Sequence, residues 1–245
     1  MAAGESPLHQ FEINRLLPIE IGGLDVSFTN SSLWMVIAVG AASLMLTVSM
    51  SRGALVPGRW QSIAELAYEF IAKLLSDSAG REARKYFPMV FSLFVFILFA
   101  NLLGLIPYAF TTTSHIIVTF AMAGCVFIGV TILGFAKHGA RFLGFFVPHG
   151  VPAVMLPLLV PIELISYLIR PITLSVRLFA NMLAGHTLLK VLGGFIVALG
   201  FFGILPWAFI VALYALELLV AFLQAYVFTI LTCLYINDAL HMHDH

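Results

Sequence analysis

Long apolar runs separated by short polar stretches dominate the pattern of hydrophobic and polar positions along the chain. About 20 predominantly apolar residues in a helix cross the hydrocarbon core of a bilayer. The pattern predicts five such spans, at about 33–50, 87–110, 115–136, 151–192 and 195–236. Residues 1–32 are mixed and polar. The sequence therefore predicts a polar N-terminal segment followed by a single all-α membrane domain over 33–245.

The polar residues before the first span predict how that helix begins. Asn30, Ser31 and Ser32 carry side chains that favour an N-cap. The weakly apolar stretch 11–17 is expected to lie at the membrane surface, and no cleavable signal peptide is evident before it.

A different pattern follows the first span. Apolar residues recur at helical spacing opposite Glu65, Glu69 and Lys73, and they are Ile63, Leu66, Ala67, Phe70, Leu74 and Leu75. This pattern predicts an amphipathic helix over about 60–79 that lies in the membrane interface rather than crossing it. A docking site for a partner protein and a solvated surface helix remain alternative interpretations of this segment.

The last two apolar runs are too long for upright helices. As a helix, 206–236 alone would extend about 46 Å, against a hydrocarbon core of about 30 Å. Fitting it requires a tilt of about 50°, beyond the usual range of about 0–40°. We therefore expect a steeply tilted helical hairpin whose break lies at Gly193–Gly194 or near Gly200, Gly203 and Pro206. Prolines 152, 157, 161 and 171 predict a kink or restart in the first of the two runs.

Composition confines the chain to the membrane class. It is 61% hydrophobic and 10% charged, whereas a soluble domain is about 45–50% apolar and about 25% charged. A formal net charge of zero disfavours nucleic acid as a partner. Cys125 and Cys233 form no disulfide or metal-binding pattern, and no nucleotide-binding glycine loop is present. No cofactor or metal site is predicted.

The distribution of basic residues predicts the orientation in the membrane. Six of the twelve Lys and Arg residues lie in 51–86, and more follow in 137–150, whereas 107–115 has none. By the positive-inside rule, 51–86 and 137–150 are cytoplasmic. The N-terminus is then outside and the C-terminus cytoplasmic. The tail carries His241, His243 and His245, for which we favour a solvated end over a metal site.

Polar residues inside the last two runs are the candidates for function. Arg177 lies in the apolar stretch PITLSVRLFANMLAGHTLLKV, and a charge at bilayer depth costs at least about 2.5 kcal/mol. One stripe, within about 60° on a helical wheel, contains Glu163, Ser166, Arg170 and Arg177, and Asn181 extends it. His186 and Lys190 occupy another face. The final run carries Tyr214, Glu217 and Gln224.

These residue types favour proton transfer, although two other interpretations exist. Glu163, His186 and Glu217 can take and give protons, as in proton-carrying membrane paths. Arginine cannot deprotonate, so Arg177 is a barrier rather than a relay. Alternatively, Arg177 is a structural ion pair with Glu163 or Glu217 in a stand-alone ion or proton transporter, which would predict an inverted repeat that is not evident. A haem protein would need paired histidines, but only His186 is clearly embedded.

Three stretches resemble a known family. PITLSVRLFANMLAGH, with NLLGLIP before it and LLVAFLQAYVFTILT after it, resembles the a subunits of F-type ATP synthases over Tyr86 to Tyr235. The N-terminal SPLHQFEI is similar to bacterial members, and AGH with LEL to alphaproteobacterial and mitochondrial ones. Some bacterial members carry Glu at the position of His186 and His at that of Glu217, so the pair is exchanged here.

The resemblance implies a stator subunit in a bacterial inner membrane. Arg177 would be the essential arginine that faces a rotating ring of c subunits. Two offset half-channels would be lined by Glu163, His186, Glu217, Asn181 and Gln224, with Arg170, Lys190, Ser166 and Tyr214 as weaker candidates. Protons would enter past His186 and Glu217 and leave near Glu163. The segment 60–79 would lie near a peripheral stalk of b subunits, and ATP chemistry would occur on other subunits.

Overall fold

In the computed structural model, six α-helices account for most of the residues that the structure describes, which are 13–18, 20–21, 24–25, 27–51, 53, 57–106, 109–147 and 155–241. The helices are α1 (Asn30–Met50), α2 (Arg59–Ala79), α3 (Phe87–Gly104), α4 (Ile116–His138), α5 (Leu156–Leu199) and α6 (Ile204–Leu240). All except α2 belong to segments long and apolar enough to cross a bilayer. The predicted all-α membrane class is confirmed.

The helices build two compact units, each assembled from three separate stretches of chain. The first unit contains the described residues of Met1–Arg52, Val95–Val118 and Leu178–Ala225. The second contains those of Gly53–Phe94, Thr119–Arg177 and Tyr226–His245. Helices α5 and α6 are therefore each divided, with one part in the first unit and the other in the second.

Short strands precede α1 in the first unit, and sequence analysis missed them. Strand β1 (Arg15–Leu17) pairs antiparallel with β4 (Phe28–Thr29), and β2 (Glu20–Ile21) pairs with β3 (Leu24–Asp25). The predicted cap of α1 is wrong by one residue, because Thr29 is extended and its side chain accepts a hydrogen bond from the Ser32 amide. Asn30 is already helical, and its Oδ1 accepts from the Asn14 amide at 3.2 Å.

The link between α3 and α4 is buried, although it is polar. Thr111, Thr112, Thr113 and Ser114 are each less than 5% exposed, and 112–114 form a 3-10 turn. The Ser114 hydroxyl donates to the Thr111 carbonyl oxygen at 2.6 Å. The His115 ring stacks on Phe110.

Contacts within the first unit join α3 to α6. The side-chain amide of Asn101 donates to the Ala221 carbonyl oxygen at 3.2 Å. This interhelical hydrogen bond gives the buried Asn101 amide a partner on α6.

The break between the last two helices falls at the second of the two predicted positions. Helix α5 continues through Gly193–Gly194 for 44 residues, and a 3-10 turn at Gly200–Gly203 separates it from α6. Gly200 has φ of +54°, a left-handed conformation that favours glycine. A Cβ on Gly203 would lie 2.8 Å from the Ile196 carbonyl oxygen. Pro161 and Pro171 lie inside α5, so the helix does not restart there; Pro152 lies outside the described residues.

Helix α2 belongs to the second unit and divides its apolar residues between two faces. The buried stripe is formed by Gln61, Ala64, Ile71, Leu75 and Ala79. Ile63 and Leu66, predicted to share one face with Leu75, are instead 50% and 65% exposed. The location of α2 at the membrane interface stays a prediction.

Candidate functional site

A buried imidazole and a buried carboxylate meet in the first unit. His186 on α5 places Nδ1 3.5 Å from Oε1 of Glu217 on α6, and the two side chains are 11% and 6% exposed. Neither carboxylate oxygen of Glu217 has a hydrogen-bond partner in the described part of the chain. At 3.5 Å the two groups form an ion pair when the imidazole is protonated, and burial makes an unpaired charge on either group costly.

A third residue touches this pair and was missed by sequence analysis. Thr111 Oγ1 lies 3.0 Å from Nε2 of His186. The same hydroxyl donates to the Gly104 carbonyl oxygen at 3.2 Å, at the end of α3. The only signal in the sequence is the polar run TTTS between two apolar spans.

The other predicted site residues of the first unit lie on the same two helices as this pair. The Tyr214 hydroxyl donates to the Leu105 carbonyl oxygen. Gln224 is buried two helical turns after Glu217 on α6, and Lys190 is half-buried one turn after His186 on α5. Asn181 is exposed.

Arg177 belongs to the second unit, and its side chain is exposed on α5. Glu163 is half-buried and Ser166 is exposed on the same helix. Among the described residues of this unit, Arg177 forms no ion pair, and none joins it to Glu163. A structural ion pair between Arg177 and Glu163 is therefore not part of this fold.

Arg170 has a partner that the sequence did not reveal. Its Nη1 lies 2.7 Å from Oδ2 of Asp238 near the end of α6. The guanidinium also lies over the rings of Tyr167 and Tyr235, at 5.5 and 5.2 Å from their centroids. Tyr167 is held in turn by a 2.8 Å hydrogen bond with Thr131. Arg170 thus joins α5 to α6 within the second unit.

The histidine tail lies mostly beyond the described residues. His241 Nδ1 lies 3.0 Å from Oδ1 of Asn237, whereas His243 and His245 are outside the described part. Within that part, no group of three His, Cys, Asp or Glu side chains is placed to hold a metal ion.

Comparison with known proteins decides the family. A model of the ATP synthase A chain family matches residues 32–237. The chain belongs to the ATP synthase A chain family. It is 60% identical to ATP synthase subunit a of Parvibaculum lavamentivorans, with 96% of this chain and 93% of the relative covered. It is 58% identical to that of Pelagibacter ubique (97% and 98% covered) and 61% identical to that of Mesorhizobium japonicum (98% and 99%).

Membership of the ATP synthase A chain family fixes the broad role. These relatives confirm that the chain resembles subunit a of F-type ATP synthases, and that the resemblance is to alphaproteobacterial members. The chain is a multi-pass inner-membrane component of the Fo sector and part of the ATP synthase complex, and it is not catalytic by itself.

Proposed function

We propose that this subunit forms two offset proton half-channels against a rotating ring of c subunits and couples proton flow to ATP synthesis. The observation that carries the proposal is the exposed guanidinium of Arg177 on the apolar, 44-residue helix α5. Exposed charges at bilayer depth face water or a partner. A ring that presents carboxylates to Arg177 would supply that partner.

The chemistry of arginine suits a stator position. Its guanidinium stays charged throughout, so it does not pass a proton from one half-channel to the other. The fixed positive charge stabilises an ionised carboxylate that comes near it. Arg177 would therefore prevent direct leakage and hold each passing ring carboxylate ready to accept a proton.

The entrance half-channel is assigned to the pair His186 and Glu217. Their contact at 3.5 Å and their burial support the transfer of a proton between them. Asn181 and Gln224 belong to the set that lines the two half-channels, and Glu163 is assigned to the exit side. Of the weaker candidates, Lys190 and Tyr214 lie near the entrance in sequence, and Ser166 near the exit. Arg170 is held by Asp238, which favours an anchoring role over a role in the path.

Orientation and stalk contacts complete the proposal. The concentration of Lys and Arg in 51–86 and 137–150 supports a cytoplasmic location for both, with the N-terminus outside and the C-terminus inside. The ion pair between Lys137 and Glu82, at 2.7 Å, joins these two basic segments. Helix α2 would lie at the cytoplasmic surface, near the b subunits of the peripheral stalk.

The experiment compares Arg177→Ala with Val176→Ala, a truncation of the preceding exposed residue of α5. ATP synthesis and passive proton leak are measured in membranes that contain the assembled complex. We expect Arg177→Ala to abolish coupled synthesis while leak persists or increases, and Val176→Ala to retain both at wild-type levels. Near wild-type synthesis in Arg177→Ala would overturn the proposal.

A further inference from the structure

The Thr111 hydroxyl lies within hydrogen-bonding distance of a carbonyl oxygen and of an imidazole nitrogen. Its oxygen lies 3.2 Å from the Gly104 carbonyl oxygen and 3.0 Å from Nε2 of His186. A hydroxyl has one proton to donate and lone pairs that accept. A carbonyl oxygen can only accept, so the hydrogen bond to Gly104 requires the Thr111 proton.

Within the described residues, the Thr111 proton stabilises the Gly104 carbonyl. Gly104 is the last residue of α3, where carbonyl groups have no partner within the helix. The residue is buried, and a buried carbonyl without a hydrogen bond destabilises the fold. Thr111 therefore acts as a side-chain cap for the end of α3.

We infer that Thr111 is a positioning residue that fixes His186 in the tautomer protonated at Nε2. With the Thr111 proton directed to Gly104, the threonine oxygen accepts a hydrogen bond from Nε2–H. Both hydrogen bonds are then satisfied. In the opposite tautomer the Nε2 lone pair would compete with Gly104 for the single Thr111 proton, and one of the two acceptors would lose its partner.

The tautomer decides which nitrogen receives a proton from Glu217. With Nε2 protonated, Nδ1 carries the lone pair and lies 3.5 Å from Oε1 of Glu217. Two acceptors cannot bond to each other, so this tautomer pairs with a Glu217 that carries its proton on Oε1. A proton on Oε1 passes to Nδ1, leaving a carboxylate beside an imidazolium, and returns by the reverse step. This consequence rests on the proposed function, whereas the tautomer itself does not.

The test is ¹⁵N nuclear magnetic resonance of the complete ATP synthase labelled at histidine. The signal of His186 is assigned by its loss in His186→Gln. Protonated and unprotonated ring nitrogens resonate far apart, so the spectrum reports the tautomer directly. We expect the neutral His186 ring to be protonated at Nε2 in the wild type. In Thr111→Val this signal should weaken and an Nδ1–H signal should appear.

Two further variants make the result specific. Thr111→Ser keeps the hydroxyl and should retain the wild-type tautomer. Thr113→Val makes the same change two residues along the same buried link, where the hydroxyl has no hydrogen-bond partner in the described part of the chain, and should leave the spectrum unchanged.

A wild-type ring protonated at Nδ1, or an unchanged tautomer in Thr111→Val, would overturn the inference. The wild-type spectrum alone decides the matter if Thr111→Val fails to assemble. Failure of the proposed function would instead appear as normal ATP synthesis in Arg177→Ala, which leaves the tautomer result untouched.

Discussion

Gly185 leaves the space that the Glu217 carboxylate occupies. A Cβ on Gly185 would lie 2.6 Å from Oε1 and 3.0 Å from Cδ of Glu217, well inside the contact distance of about 3.5–4.0 Å for nonbonded carbon atoms. A Cβ at this position would therefore require the Glu217 carboxylate to move. The contact between the His186 imidazole and the Glu217 carboxylate therefore depends on the absence of a side chain at Gly185.

Gly185→Ala should lower coupled proton flux without preventing assembly. The new methyl group displaces Glu217 from Nδ1 of His186, and a misplacement of about 1 Å in a reacting pair costs up to about 100-fold in rate. Alanine favours a helix over glycine by roughly 0.5–1 kcal/mol, which offsets part of the strain. The measurement is ATP-driven proton pumping per assembled complex.

Gly194→Ala is the matched control on the same helix, since nothing lies within 4 Å of its Cβ position. It should pump at the wild-type rate. Equal pumping by the two variants would show that the close approach of Gly185 to Glu217 has no bearing on proton transfer.

The ion pair between Arg170 and Asp238 should contribute to stability rather than to coupling. Both side chains are 26% exposed, and a hydrogen bond to a charged group contributes about 1.5–3 kcal/mol. Asp238→Ala and Arg170→Ala should each lower the unfolding temperature of the purified complex, and the double variant should lose less than the sum of the two.

Synthesis per assembled complex distinguishes this role from a role in the proton path. We expect Asp238→Ala and Arg170→Ala each to retain most of the ATP synthesis per assembled complex. The double variant with the charges exchanged, Arg170→Asp and Asp238→Arg, should recover part of the lost stability. Additive losses of stability, or loss of synthesis on the scale of Arg177→Ala, would contradict an anchoring role.

Thiol labelling should test the orientation of the chain. Ser51 is exposed at the end of α1, and Ile13 is exposed next to Asn14, which is hydrogen-bonded to Asn30 at the start of the helix. With a membrane-impermeant maleimide, Ile13→Cys should react in spheroplasts, whereas Ser51→Cys should react only in inverted membrane vesicles. The unsubstituted chain measures any background from Cys125 and Cys233. The reverse pattern would place the N-terminus in the cytoplasm.

Sequence periodicity predicted the helices well because a membrane span needs a long apolar run, and such runs are visible without knowledge of contacts. It also put His186 and Glu217 in the two successive long runs, whereas their association in one path was implied only by the family resemblance. It did not find Asp238 as the partner of Arg170, because the two are 68 positions apart and no local spacing connects them. Thr111 and Gly185 were missed for a related reason, since each matters through an atom of another segment.

Local rules failed where several residues competed for one position. Thr29, Asn30, Ser31 and Ser32 are all suitable caps, and the pairing of β1 with β4 selects Thr29 by holding it extended. On α2, more apolar residues are present than one face can hold, so packing within the second unit decides which of them are buried.

The exposed guanidinium of Arg177 also bears on how the complex is assembled. A free subunit in the membrane presents this charge to lipid or to inserted water, at a cost of at least about 2.5 kcal/mol. A partner that supplies a carboxylate removes that cost, and its removal makes the free energy of association more favourable. The side chain proposed to direct protons would then also make the solitary subunit less favourable than the assembled one.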